Sequence, residues 1–369
     1  MNAKMESSKL RLSLKISRYV RWIIALIVIL WMAWRFYNVL FIVKSFGADT
    51  WVRLAFSGLI IGGMYALIAV GYTLVYGILF MINFAHGEVM VLGAFGGYFV
   101  FEALKSINIT TSSGTEMTIM NAYPLPSIIL AFLVGMVSSA TLGYFLEKIA
   151  YRPLRNAPRL VPLISAIGAS IFLQNAFQLL FGPQRRDYIN PDILSRGTGW
   201  TIQIAGKSVL LTYTGVFSLA LSIILMIILY TIVKRTKMGK AMRSVAQDKP
   251  TAALMGIGVD DIISKTFVLS GVLAGAAGVM WGIHNGLINY FTGFLPGIKA
   301  FTAAVLGGIG NIPGAMVGGM VLGIVESVGP AALGIDFQLK DVIAFSILVL
   351  VLILRPQGIL GEALSEEKL

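Results

Sequence analysis

Ile298-KAFTAAVLGGIGNIPGAMVGGMVLGIVES-Val328 is apolar along most of its length but is broken in the middle by Gly310-Asn-Ile-Pro-Gly314. Read as one crossing, the segment leaves Arg355 and the tail on the outer side of a membrane. Read as a re-entrant hairpin, Ile298–Ile309 dips in, Pro313–Val328 returns, and the tail lies inside. Non-helical backbone at membrane depth is tolerated where protein buries it. The hairpin is therefore the reading adopted. It places Lys299 and Glu326 near the same, outer, surface, whereas a straight helix would hold them about 40 Å apart at 1.5 Å per residue.

Working outward, further apolar runs cover Leu54–Ile82, Val89–Leu104, Leu125–Leu146, Val161–Phe181, Val209–Val233, Ile262–Ile283 and Leu339–Leu354. A basic N-terminus, residues 1–21 with Lys4, Lys9, Arg11, Lys15, Arg18 and Arg21, precedes another run from Trp22 to Val43. A cleaved signal peptide competes for this last run. Its length, Arg35 within it and the weak small-residue site after it favour an uncleaved span, residues 22–46. The 369 residues are 57% hydrophobic and 12% charged, about half the charge of a soluble domain. A soluble enzyme is thereby excluded. A membrane-spanning helix takes about 20 apolar residues, so eight or nine use roughly 160–180. The expected fold is an all-α polytopic membrane protein with about eight to nine transmembrane helices plus a re-entrant hairpin.

The net charge of +12 is spread in clusters between the apolar runs, which argues for a membrane rather than nucleic acid. Lys148, Arg152, Arg155 and Arg159 follow the fourth span; Lys234, Arg235, Lys237, Lys240, Arg243 and Lys249 follow the sixth. With a cytoplasmic N-terminus both clusters face the cytoplasm, as the positive-inside rule asks. Arg185, Arg186, Arg196 and Lys207 fall in an outside loop and run against it. Small residues recur at every fourth position, as in Gly58/Gly62/Ala66, Gly93/Gly97, Gly271/Gly275 and Gly310/Gly314/Gly318. Such series cut grooves for close helix packing.

Cysteine is absent and histidine occurs twice, so no thiolate or histidine-based metal site is expected. The common ATP-binding loop is missing, and no nucleophile–base pair suggests catalysis. No cofactor is expected on this chain. Polar residues beside or within the spans are the candidates for a solute path. They are Asn83, His86 and Glu88 in the turn after the second span, Gln174 and Asn175 in the fifth, and the Lys299/Glu326 pair. Each has a plainer reading: Asn83 or His86 capping a helix in an interfacial turn, Glu88 at its positive end, asparagines tying helices together, Lys299 and Glu326 at the interface. No cage of charges for both ends of an amino acid is visible.

Residues 237–261 differ in kind. They read as two short helices divided at Pro250, the first amphipathic. This element could lie on lipid headgroups or dock on a cytoplasmic partner.

Four blocks carry a resemblance. They are Tyr65-ALIAVGYTLVYGILFMINFAHGE-Val89, Ala150-YRPLRNAPRLVPLISAIGASIFLQ-Asn175, Gly239-KAMRSVAQDKPTAALMGI-Gly258 and Gly293-FLPGIKAFTAAVLGGIGNIPGAMVG-Gly319. Across residues 54–361 the chain resembles the permease subunit of branched-chain amino acid ABC importers, the LivH type. The resemblance implies a multi-pass protein of a bacterial-type inner (plasma) membrane, paired with a second related permease of the LivM type. It also implies two cytoplasmic ATPase subunits that use ATP and an extracytoplasmic solute-binding protein. It makes 237–261 the cytoplasmic coupling segment and Gly239, Arg243, Asp248 and Gly256 candidates for the ATPase coupling, with Arg243 and Asp248 contacting the ATPase. The extra N-terminal span is atypical of that family, and Asn289-Tyr290 stands where it often has Asn-Pro. Urea or short amides compete with branched-chain amino acids as cargo. An ion-coupled secondary transporter is the alternative of a different class; it would need Glu88 and Glu326 as ion sites.

Overall fold

The computed structural model describes residues 23, 26–43, 46–110, 116–155, 157–158, 160–355 and 357–361. The basic N-terminus at 1–21, Arg159 and the tail at 362–369 lie outside the described residues. Twelve helices organise the described chain. They are α1 (Leu26–Val43), α2 (Ala48–Leu79), α3 (His86–Lys105), α4 (Pro124–Phe145), α5 (Leu160–Phe181) and α6 (Tyr213–Arg235), then α7 (Lys237–Gln247), α8 (Lys249–Leu254), α9 (Val259–Asn285), α10 (Phe294–Gly307), α11 (Ile312–Leu333) and α12 (Lys340–Leu354). Among the described residues nine helices are long and apolar enough to cross a membrane; α10 is apolar but half-length, and α7 and α8 are short. The protein is an all-α, multi-pass membrane protein.

The break at Gly310–Gly314 is a turn. Gly308 and Gly310 take positive φ angles of 105° and 95°, and Asn311 caps α11 by accepting a hydrogen bond from the Gly314 amide at 3.1 Å. Pro313 then sits in the first turn, where a missing N–H costs nothing. The hairpin is unequal: α11 is a full-length span and only α10 is short. The chain continues through α12 back to the hairpin tip, where the amides of Ile359 and Leu360 bond to the carbonyls of Leu306 and Gly307.

A second interruption lies between α2 and α3. α2 has 32 residues and extends about 48 Å, more than the roughly 30 Å hydrocarbon core. It ends at Phe80 in a left-handed conformation, φ 53°. The chain then doubles back, so α3 begins against Gly71, inside the bundle. The expected interfacial turn at Asn83–Glu88 is instead interior: Asn83, His86 and Glu88 are 3%, 2% and 1% exposed.

α2, α3, α9, α10 and α11 form the core, with α1, α5 and α12 at the periphery. The small-residue grooves are used as the sequence suggests. Gly58 and Gly62 on α2 meet the backbone at Gly319, Met320, Gly323 and Ile324 on α11, with no space for a Cβ, and Gly275 on α9 does the same against Gly93 and Gly135. Gly62→Leu is expected to force α2 and α11 apart and to cost about 1–3 kcal/mol, the range of an overpacked core. A lower thermal midpoint of the purified protein would register it.

The elbow α7–α8 and the hairpin tip share one end of the bundle, because α2 and α6 run parallel while α9 and α11 run antiparallel to them. Three short antiparallel strand pairs occupy the opposite end: β1 (Asn108–Thr110) with β2 (Glu116–Thr118), β3 (Arg186–Asp187) with β6 (Leu287–Ile288), and β4 (Gly199–Ile204) with β5 (Lys207–Thr212). The span expected from Val209 accordingly starts later. Val209–Thr212 belong to β5, and Thr212 caps α6 by accepting from the Gly215 amide.

Four arginines are held by helix ends, and two of them, Arg186 and Arg196, are among the charges that run against the topology rule. Each donates to carbonyls at or beside a helix C-terminus, which are orphaned and favour positive charge. Arg186 reaches Phe181 O at 2.7 Å, Arg196 reaches Ile283 O at 3.1 Å, and Arg35 reaches Leu333 O and Gly334 O at 2.9 and 2.8 Å. Arg243 donates to Val233 O. Arg35 is thus how the N-terminal span attaches: it fastens an otherwise exposed α1 to the end of α11, where Val39 also packs.

Candidate functional site

Two helices that start inside the bundle meet end to end. Gly87, in the first turn of α3, packs backbone to backbone against Gly293 and Gly297 at the start of α10. The chain reaches α10 through a tight turn in which Asn289 Oδ1 accepts from the Phe291 amide at 3.1 Å and from the Thr292 hydroxyl at 2.8 Å. Beside this junction lies a half-open cavity of about 280 Å³, bordered on its third side by α5. Tyr72, Phe84, Ile167, Ile171, Phe294 and Ile298 make its walls largely apolar.

Its polar group is a carboxylate. Glu88 Oε1 accepts from Ser170 Oγ at 2.8 Å and from Gln174 Nε2 at 2.5 Å. Glu88 Oε2 is buried with no hydrogen-bond partner. Burying an unpaired polar oxygen is costly.

The structure brings Glu88 and Gln174 together and leaves three other candidates outside the cavity. Asn83 Oδ1 accepts from the Tyr151 hydroxyl at 2.5 Å, tying the α2–α3 connection to the segment after α4. His86 turns toward α2, edge-on to Tyr72 at 4.9 Å. It occupies the space a Cβ at Gly71 would need. Neither residue caps α3; the cap position is Ala85 and carries no side-chain bond. Asn175 is exposed, does not line the cavity, and bonds back to Ile171 O at 2.7 Å. Asn285 likewise bonds back within its own helix, to Trp281 O at 3.1 Å.

Lys299 and Glu326 form a separate site. Nζ and Oε1 are 2.8 Å apart, as the hairpin requires. They are buried rather than at an outer surface, roofed by the start of α12. There Asp341 lies 2.6 Å from Lys299 and Lys340 lies 3.4 Å from Glu326.

At the elbow, the four residues singled out from the sequence shape the element itself. Gly239 lets α7 fold closely onto the end of α6, with Thr236 accepting from its amide at 3.1 Å. Arg243 is bound to Val233 O. Asp248 caps α8, so the division falls at Asp248 and Pro250 sits in the first turn. Hydrogen bonds from the Thr251 hydroxyl and amide hold the Asp248 carboxyl below its ordinary range. Because that pKa is depressed, the cap is intact at neutral pH and is lost only as pH falls through the lowered value. Gly256, φ 80°, turns the chain out of the helix. What the elbow presents outward is Leu254, 87% exposed, and Met255, 78% exposed. Sequence reasoning passed over both because an apolar pair in an apolar protein carries no contrast.

Behind the elbow is a second ionic cluster that the sequence did not reveal. Glu147, fully buried, pairs with Arg155 and lies 3.6 Å from Arg152. It also accepts from Ser264 Oγ at 2.6 Å. Both arginines continue to Asp260 in the first turn of α9. The loop after α4 is thereby pinned to the helix that follows the elbow.

Comparison with known proteins gives this architecture a context. The family described as branched-chain amino acid transport system, permease component, matches residues 54–352. The high-affinity branched-chain amino acid transport system permease protein BraD of Pseudomonas aeruginosa is 44% identical over 306 residues, 83% of this chain and 94% of that protein. The corresponding permease protein LivH of Escherichia coli is 42% identical over 307 residues, with the same coverage. A probable branched-chain amino acid transport permease of Methanocaldococcus jannaschii is 28% identical over 334 residues, 86% of this chain and 96% of that one. No solved structure matches the chain. The matched region starts at residue 54, after α1, and contains the hairpin, the cavity and the elbow. This chain therefore belongs to the family of branched-chain amino acid transport system permease components.

Proposed function

We propose that this chain forms the transmembrane path of an ABC importer for branched-chain amino acids in a bacterial-type inner membrane. An extracytoplasmic binding protein delivers the solute, a second related permease completes the path, and two cytoplasmic ATPases supply the energy. ATP is used on those partners and not on this chain. The observation that carries the reading is the family match across residues 54–352, joined to an elbow whose exposed Leu254 and Met255 lie at the basic end of the bundle. That end faces the cytoplasm by the positive-inside rule. A small apolar knob on a short helix suits docking into a groove of a partner protein.

In the cycle, ATP-driven closure of the partners moves the elbow. The Glu147–Arg155–Asp260 cluster passes that movement into α4 and α9, and the bundle switches the side on which its path opens. Each ligand shifts this equilibrium only by its differential affinity for the two states.

The test is reconstitution. The chain co-purified with its partners into proteoliposomes should take up leucine, isoleucine or valine when ATP and the binding protein are supplied. Collapse of ion gradients should leave uptake intact, and ATP removal should stop it. Uptake of urea or a short amide in place of leucine would replace the cargo assignment. Gradient-driven uptake by this polypeptide alone would replace the class.

A further inference from the structure

A second half-open cavity, of about 380 Å³, lies at the end of the bundle opposite the elbow. α2 supplies Arg53, Phe56 and Ser57 from its first turns, the β4–β5 hairpin supplies Ser208 and Leu210, and α9 ends on it at His284. An ion pair builds this recess. Lys207 at the start of β5 lies 3.6 Å from Asp49 at the start of α2, which pins the hairpin beside the helix. Residues four apart on a helix are neighbours, so Asp49 is the carboxylate that helical spacing offers to Arg53, and it is buried and engaged by Lys207 instead. Arg53 is exposed, with no ion pair and no hydrogen bond among the described residues. Other cations at this end are occupied: Arg186 and Arg196 by helix-end carbonyls, Lys207 by Asp49. Among the described residues no aspartate or glutamate lines the cavity.

A guanidinium presents paired N–H donors whose geometry matches a carboxylate. Phe56 and Leu210 give the same space an apolar wall, and Ser57 and Ser208 bring hydroxyls to it. The volume falls within the roughly 300–1,000 Å³ typical of small-molecule pockets. We propose that this cavity is an outer receiving site for an aliphatic carboxylate. The carboxylate pairs with Arg53, and the hydrocarbon chain lies on Phe56 and Leu210. That the occupant in use is a branched-chain amino acid rests on the reading of the chain as an amino-acid permease. Recognition is one-ended. An ammonium meets only hydroxyls here, and urea or a neutral amide brings no charge for Arg53. An acidic side chain of the binding protein carries the same carboxylate, but its short stem leaves the apolar wall uncovered, so the free solute fits the recess better. An ion pair open to solvent is weak, which suits a solute that must move on.

The chain has no cysteine, so Leu210→Cys places a single thiol in the cavity wall. The permease–ATPase complex in nanodiscs, without the binding protein, is labelled with an uncharged thiosulfonate. Leucine and 4-methylpentanoate should both slow labelling, whereas 3-methylbutylamine, which lacks the carboxylate, should not at equal concentration. Adding Arg53→Gln should raise the leucine concentration needed for half-protection about threefold to fivefold, the upper range for an exposed ion pair. Arg53→Lys, which keeps the charge, should restore part of that loss. Protection by the amine equal to that by leucine, or half-protection unaltered in Arg53→Gln, would overturn the site. Should Arg53→Gln fail to assemble, the comparison of leucine with the amine decides alone. Solute-free binding protein is the second arm. Protection that depends on Arg53 but comes only from that protein, with none from leucine, would give the seat to an acidic side chain and overturn the solute assignment. Leucine uptake by the complete importer separates the site from the reading beneath it. An importer that takes up leucine while leucine leaves the thiol unprotected defeats the site only. Carboxylate protection in a complex that imports no branched-chain amino acid keeps the site and defeats the amino-acid reading.

Discussion

Lys299→Ala is expected to remove most of the folded chain from the membrane. Lys299 is 5% exposed and is the cation between Glu326, itself 2% exposed, and Asp341. Removing it leaves Lys340, at 3.4 Å and half in solvent, as the cation beside Glu326 among the described residues. Breaking a buried pair from one side costs about 3–5 kcal/mol because the remaining charge stays desolvated, a large part of a typical total stability of about 5–15 kcal/mol. The cost falls on the hairpin, since Lys299 belongs to α10 and Glu326 to α11. The measurement is the amount of monodisperse protein recovered from membranes, with a thermal midpoint on what remains. The double change Lys299→Met with Glu326→Leu should recover much of the loss, because apolar groups of similar volume often replace a buried pair without penalty. Equal recovery of wild type and Lys299→Ala would show that the pair does not hold the hairpin shut. Wild-type stability together with lost transport would place the pair in the solute path instead.

Leu254→Glu with Met255→Glu is expected to abolish ATP-driven uptake while leaving the chain folded. Both side chains project from the end of α8 into open surroundings, so the change breaks no internal contact. It places two negative charges on the surface proposed to enter an ATPase groove. Truncating a central apolar anchor typically costs an interface 2 kcal/mol or more, and charges there add repulsion or desolvation. Co-purification of the ATPases should fall at least about tenfold, with yield and thermal midpoint unaltered. Undiminished co-purification would overturn the docking assignment for this pair. Arg243→Glu is a poorer probe. Arg243 holds α7 against Val233, so its loss confounds a distorted elbow with a lost contact.

The amino-acid sequence alone determined the class of molecule and most of its spans. Composition and run length do this because lipid leaves a backbone few options, and long apolar helices are the main one. It also determined that the chain breaks at Gly310–Gly314, since asparagine, proline and glycine act locally. The second break was legible as a turn, but its depth was hidden. Asn83-Phe-Ala-His-Gly-Glu88 has the composition of a surface turn, and only packing on Gly71 and Gly293 draws it inside.

What tertiary structure decided was which polar groups share a space. His86 and Glu88 are two residues apart yet face different neighbours, because successive positions on a helix point about 100° apart. Glu88 meets Gln174 across 86 residues of sequence, and Glu147 meets Ser264 across 117. Local patterning carries no record of such pairings. Spans follow from a free energy summed along the chain, whereas the site follows from where two helices begin and which small residues let their backbones touch.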